Sequence, residues 1–508
     1  MSLLNNLLVR SSIDYPNKEA VVCGEKRVSY SKIEIASTKL ANFLISKGIK
    51  YGDRVGIFCN KDIEEVIVIL AALKIGAIFI YINPQYKEDQ FTHVFSDCNI
   101  KAVFIDEAKS RILSRAYPNE DPTEFVVSLS KKVYLDKNIF KNLFYFEEIV
   151  KNIEVGIAVF PQIEDETPAS IIYTSGSTGK AKGIVVTHKI FYDSTVSSAN
   201  VLQNNSKDRL ISVTPFSFDG ALSQLFTMFY VSGTLIQQKS NFPKDIVETL
   251  INEKITGFHA VPSLWNVLLQ KHSPFSNHSY PDLKYISVIG ESLPQKYLNI
   301  IRNILKTTKI YKMYGTTEAF RSTYLPTENL DDKPNSVGIP FPGVEICIID
   351  EDNNPCNPGE IGEIVHKGNF ISPGYWNQPE KSAERFKADG LRTGDLGKLD
   401  KDGYLYFSGR KDGMIKIQGY RVSPEEIENC LYELKEIQEA VILNVPGGNL
   451  DRKIKAVVVR NDMFELTEKE IINHCRKKLP NYMIPSIIEF REFLPRTANN
   501  KVNKLELI

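Results

Sequence analysis

The chain has 508 residues, too many for one compact core, so two to four domains are expected. Its 62 Lys and Arg residues cancel its 62 Asp and Glu residues, leaving no overall field to attract nucleic acid or an anionic membrane. The 7 cysteines are scattered without a Cys-x-x-Cys pair, which argues for a reducing compartment and against a disulfide framework or a cysteine-built zinc site.

The first ten residues are apolar over too short a stretch for a signal peptide and lack its basic start, so a cytoplasmic protein is the default expectation. From about residue 20 to 320, β-rich runs at 54–59, 102–105, 169–173, 209–213, 257–261 and 285–289 alternate with helical patterns at 31–47, 63–74, 242–253 and 293–305. The apolar run 66–81 is broken by Lys74, falls short of a membrane span, and reads as a buried helix followed by a strand. Such alternation predicts an α/β fold with parallel sheets covered by helices. Residues 335–408 are punctuated by Gly and Pro, with short strands at 344–349, 362–366 and 404–407, and predict a β-rich subdomain. A small α/β unit follows, with helices at 424–434 and 467–478 and strands at 440–444 and 453–459. These patterns predict a large domain over 1–411 and a small C-terminal domain over 412–508, with the boundary near Asp412.

Residues 173–183 carry the densest chemistry: three glycines, four hydroxyls and two lysines directly after a strand pattern. Glycines let a backbone turn tightly and expose its N–H groups, and hydroxyl and ammonium groups add donors, so the loop suits a polyphosphate. It is not a Walker loop, because Gly179-Lys180 is followed by Ala181 rather than Ser or Thr. A flexible Gly/Ser turn is the plain alternative. Four more segments follow: residues 314–318 (Tyr-Gly-Thr-Thr-Glu), 392–395 (Arg-Thr-Gly-Asp), 409–422 beginning Gly-Arg-Lys-Asp, and 495–502 around Lys501. Singly, an Asp on a Gly turn is a turn residue and a terminal Lys is solvated; their order and spacing together change that.

In this order the motifs resemble the adenylate-forming superfamily of acyl-CoA synthetases, amino-acid adenylation domains and firefly luciferase, over nearly the whole chain. Ala181, where the family usually has Pro, and Asn500, where Gly commonly precedes the terminal lysine, are departures. The resemblance implies ATP and Mg²⁺ as cofactors. Thr174, Ser175, Gly176, Ser177, Thr178, Gly179 and Lys182 would grip the β- and γ-phosphates, and Tyr314, Gly315 and Thr316 would face the adenine. Thr317 would contact the α-phosphate, Glu318 would hold Mg²⁺, Asp395 would take the ribose hydroxyls with Arg410 beside it, and Lys501 would reach the substrate carboxylate. In the family the small domain is mobile. It rotates about a hinge at the position of Asp412, exchanging Lys501 for a hairpin around Gly419 when the thiol enters.

By the same resemblance the acyl pocket includes Phe218, Asp219, Gly220, Ser223, Ala260, Ser287, Ile289, Met313, Arg321 and Ser322. Asp219 stands where amino-acid adenylation domains pair a carboxylate with the substrate α-ammonium; alternatively Asp219 and Arg321 pair with each other. Small residues and an arginine imply a small or polar, or acidic, acyl group. Residues 317–326 also look like those of stand-alone bacterial ligases found with surface-polysaccharide systems. No condensation, carrier or thioesterase pattern follows Ile508, so the expected function is a free-standing ligase. It would activate an amino acid and load a separate carrier protein's phosphopantetheine, with neither nucleic acid nor membrane as partner. An acyl-CoA ligase for a small organic acid is the alternative acceptor reading, and a nucleotide-binding protein without chemistry is the alternative class.

Overall fold

A computed structural model describes all residues except 1–3, 157–159, 175–180, 270–271, 290–294, 412–414, 418–419, 423, 448–451, 461–464, 496–501, 503 and 508. Two sheets form the body. In the first, the strand order is Leu143–Tyr145, Phe125–Ser128, Ala102–Ile105, Arg54–Phe58, Ile78–Tyr81, Pro168–Thr174 and Lys182–Thr187. Each pair is parallel until the last, where Pro168–Thr174 and Lys182–Thr187 run antiparallel and frame the glycine-rich loop. In the second sheet a parallel core runs Lys309–Tyr314, Tyr285–Val288, Gly257–Ala260, Arg209–Ser212, Thr234–Gln237 and Glu19–Cys23. Antiparallel strands finish both edges.

The helix Ile63–Lys74 is buried on nearly every side, as a helix apolar all round must be. It packs on strands of both sheets and so joins them. Its Glu65 accepts hydrogen bonds from Tyr81 of the first sheet and Gln237 of the second, and burial raises its carboxyl pKa to about 8. This seam explains why the apolar run 66–81 belongs inside the protein rather than in a membrane; no described helix is long and apolar enough to cross one.

The Gly- and Pro-punctuated region forms an antiparallel sheet of Val344–Ile349, Gly362–Gly368, Gly390–Leu399, Phe386–Lys387 and Leu405–Arg410. The small C-terminal unit has its own core. Helices Pro424–Tyr432 and Glu468–Lys478 cover a sheet of Ile437–Pro446, Arg452–Arg460 and Ile487–Arg491, with Ile427, Leu431, Val458 and Ile471 inside. Thr467 and Glu470 form a capping box at the start of the second helix, satisfying donors that would otherwise be orphaned. Contacts that seat this unit on the large one include Gln90, which donates to the Lys478 carbonyl (2.8 Å), Lys478, which pairs with Asp89 (3.4 Å), and the Tyr420 ring, which meets Phe218 edge-on (4.7 Å).

Candidate active site

Thr174 and Lys182 are cross-strand partners at the mouth of the phosphate-loop hairpin. Ser175, Gly176, Ser177, Thr178 and Gly179 lie outside the described residues, as do Asp412, Gly419 and Lys501. Gly183 can only be glycine here: a Cβ would approach Ile171 Cγ2 to 2.6 Å and Trp376 Cβ to 3.2 Å. The Lys182 ammonium sits 5.2 Å from the Tyr375 ring centroid, and the Tyr375 hydroxyl donates to Glu318 Oε1 (3.0 Å). The loop lysine and the Glu318 carboxylate therefore converge on one tyrosine.

Tyr314 ends the strand Lys309–Tyr314 and packs against Phe407, while its hydroxyl donates to Asp395 Oδ2 (2.8 Å). Asp395 lies in Gly390–Leu399, where its backbone pairs with that of Arg410. Three residues meant for nucleotide, Tyr314, Asp395 and the backbone of Arg410, thus adjoin one another. Thr316 is buried, and its hydroxyl has no hydrogen-bond partner among the described residues. Between Glu318 and Arg321 the chain makes a sharp turn at Phe320, whose φ of 38° is unusual for a bulky side chain. That turn sends Glu318 toward Tyr375 and Arg321 toward the acyl side.

A cavity of about 140 Å³ joins the two groups of residues. Thr174, Gly315, Thr316 and Thr317 line one side and Phe218, Asp219, Gly220 and Ile289 the other. Tyr420 and Tyr482, stacked at 3.6 Å, close the mouth from the small unit. A second, inner chamber of about 20 Å³ is lined by Ser223, Ser287, Met313 and Arg321; Gly220 and His259 border both spaces. Asp219 opens the helix Asp219–Val231, where a carboxylate suits the helix dipole, and its Oδ1 accepts from the Gly220 N–H (2.9 Å).

Two expected pocket residues lie elsewhere. Ala260 faces the opposite side of its strand, in the apolar cluster with Phe258, Ile286 and Val288, because side chains alternate along a strand. The residue that faces the cavity is His259, which sequence reasoning passed over although the alternation could have singled it out. Its Nδ1 is 2.7 Å from Ser287 Oγ, and burial, aided by the Arg321 charge, lowers its pKa to about 3 and keeps it neutral. Ser322 is fully buried, its hydroxyl 2.9 Å from His366 Nδ1, and lines neither chamber.

The direct Asp219–Arg321 pairing is not how the arginine is held. Its guanidinium donates to Ser198 Oγ (3.0 Å), Ser223 Oγ (2.5 Å) and the Phe320 carbonyl (2.9 Å). Burial lowers the Arg321 pKa, and the negative field of Asp219 offsets part of that.

A model of the AMP-binding enzyme family matches residues 9–376, and one of the AMP-binding enzyme C-terminal domain matches residues 426–501. The chain belongs to this adenylate-forming family and is an AMP-forming ligase. It is 28% identical over 99% of its length to a linear gramicidin synthase of Brevibacillus parabrevis, but spans only 10% of that protein. It is 26% identical over 99% of its length to a long-chain-fatty-acid–CoA ligase of Bacillus subtilis, spanning 94% of it. Among solved structures, o-succinylbenzoate CoA synthetase from Bacillus subtilis superposes with a TM-score of 0.87 at 24% identity, covering 99% of this chain and 97% of that one.

Proposed function

We propose that the protein couples ATP to a small carboxylic acid, most simply an amino acid, and passes the acyl group to the thiol of a separate carrier protein's phosphopantetheine. An acid oxygen attacks the α-phosphorus, the bond from that phosphorus to the bridging oxygen breaks, and pyrophosphate leaves with the electron pair. The thiol sulfur then attacks the acyl carbon, the acyl–oxygen bond breaks, AMP leaves and the thiol proton goes to solvent. Thr174, Lys182 and the loop 175–180 would bind the phosphates, Thr317 the α-phosphate, and Tyr314, Asp395 and Arg410 the nucleoside. Glu318 fits Mg²⁺ as a hard oxygen ligand, and no group of three or more potential ligands occurs among the described residues, so a metal would be held jointly with the nucleotide. The metal would neutralise phosphate charge; Lys501 would place an ammonium where charge develops. Asp412 would be the hinge between domains at 1–411 and 412–508.

The observation that carries the reading is the single cavity bordered by Thr316 and Thr317 on one wall and Asp219 and Gly220 on the other. Its size argues for a small acid. A protein cavity of about 150 Å³ takes up one benzene, far less than a long fatty chain needs. A coenzyme A ligase with the same first half-reaction is the second reading, favoured by coverage of 94% of the Bacillus ligase. Pyrophosphate exchange driven by a panel of amino and organic acids tests the proposal. Lys501→Ala should lower exchange by about 10²–10³-fold while ATP still binds; near-normal exchange would overturn its role, and exchange with no acid would overturn the function.

A further inference from the structure

The inner chamber contains more polar chemistry than packing requires. Arg321 is only 5% exposed, yet all three acceptors on its guanidinium are neutral: two serine hydroxyls and a backbone carbonyl. A guanidinium has five N–H donors, so two remain, one on each terminal nitrogen. Gln224, also 5% exposed, lines the same chamber, and neither its amide oxygen nor its nitrogen has a partner. Buried amides are nearly always hydrogen-bonded, and leaving one unpaired costs free energy. No acidic side chain lines this chamber among the described residues.

Gly220 and His259 line both spaces and so stand between them. A Cβ at position 220 would stand 3.4 Å from His259 Nε2, in contact with it. Neutral His259, held by Ser287, offers a hydrogen bond to a chain passing through without adding charge. The volume of about 20 Å³ holds about one water-sized group, so a carboxylate oxygen would take the place of one water there.

We infer that the inner chamber is a subsite for a second carboxylate, so that the acid activated is a short dicarboxylic one. The distal carboxylate takes the remaining Arg321 donors and the Gln224 amide N–H, a charged donor set suited to an anion. Asp219 lies on the outer chamber and not on the inner, so its negative charge faces the near end of the acid, where an α-ammonium offsets it. The inference rests on the reading of the outer cavity as the acyl site.

The test uses the full-length protein. Aspartate, glutamate, succinate and glutarate are compared with asparagine, glutamine, butyrate and norvaline, by pyrophosphate exchange and by calorimetric binding with a non-hydrolysable ATP analogue. Acids with a distal carboxylate are expected to exceed their neutral counterparts by at least about 100-fold, the worth of a buried charge pair. Arg321→Met should reverse the preference toward the neutral acids, and Gln224→Leu should lower it about tenfold; a merely structural role would depress all acids alike. Binding of dicarboxylic acids without exchange would uphold the subsite and overturn adenylation. Exchange confined to neutral acids would uphold adenylation and overturn the subsite. Neither binding nor exchange by any dicarboxylic acid, in protein whose circular dichroism is that of a folded α/β chain, overturns the subsite as well.

Discussion

Tyr420 is, with Tyr482, a residue through which the small unit touches the acyl pocket, and replacing it should separate the two half-reactions. Its ring meets Phe218 at 4.7 Å and 71°, and its hydroxyl bonds Asn83; both partners belong to the large domain. The aromatic pair is worth about 0.5–1.5 kcal/mol beyond buried area, and the hydrogen bond adds about 0.5–1.5 kcal/mol. Tyr420→Ala therefore removes about 1–3 kcal/mol from the docked arrangement, an equilibrium shift of about 5–150-fold at 1.4 kcal/mol per decade. Tyr482, stacked on Tyr420 at 9°, belongs to the small unit and orients the ring without adding to that figure. If the docked arrangement serves thiol entry, acyl transfer to pantetheine falls by this factor while pyrophosphate exchange stays within about twofold, because adenylation uses the alternative placement. Tyr420→Phe retains the ring and should lose only about 2–10-fold, the share of the hydrogen bond. Both rates are measured on one preparation, with circular dichroism as the folding control. Equal loss of both steps would reduce Tyr420 to a pocket wall, and undiminished transfer would refute domain alternation as the reason for its position.

Two further outcomes follow from the geometry. Asp219→Ala should weaken an α-amino acid by about 2–5 kcal/mol, the cost of stranding a buried charge, and leave its des-amino analogue unharmed; calorimetry on the pair decides, and equal weakening would refute the ammonium contact. His188 is fully buried with both ring nitrogens unpartnered, and burial, partly offset by Asp165, lowers its pKa to about 4. Between about pH 6.5 and 4 the unfolded imidazole binds a proton that the folded one refuses, so stability falls with falling pH by about 1.4 kcal/mol per unit for this group. Urea titrations of the wild type and His188→Leu across this window should differ in slope by one proton; parallel slopes would show that His188 takes no part.

Much of the architecture was legible because its determinants are local. The helix Ile63–Lys74 and the strands Ala102–Ile105 and Val344–Ile349 stand where the sequence pattern placed them, since run length and β-branched or aromatic content separate a buried helix from a strand. Helix ends moved by a residue or so, as at Tyr30–Ser46, where Ser29 caps the start through a hydrogen bond that periodicity does not register. The start of the strand Lys182–Thr187 was hidden in the loop motif, because Lys182 and Gly183 read as a turn until pairing with Pro168–Thr174 is known. In the pocket, positions beside a motif such as Gly315 and Asp219 line the cavity, whereas Ala260 depends on which strand face is inward and Ser322 is taken up by His366. A one-residue difference reverses that face, which is why His259 took the place assigned to its neighbour.

The second sheet explains why the residues proposed for nucleotide and for acid adjoin. Its parallel strands Arg209–Ser212, Gly257–Ala260, Tyr285–Val288 and Lys309–Tyr314 end on one side, and their ends deliver Thr214, Val261, Ile289 and Gly315 to the same cavity. Ligands gather at the carboxyl ends of parallel strands because the loops there diverge and leave a crevice. What distinguishes this chain is the turn after Gly315. Phe320 in a left-handed conformation is a local cost, and it persists because the ring is locked against Phe191 while Arg321 is fixed by Ser198 and Ser223. Without that turn Glu318 and Arg321 could not face opposite ways, one toward Tyr375 and the other toward the inner chamber. The strained residue thus lies between Glu318, the carboxylate proposed to hold metal, and Arg321, the cation proposed to meet the acid.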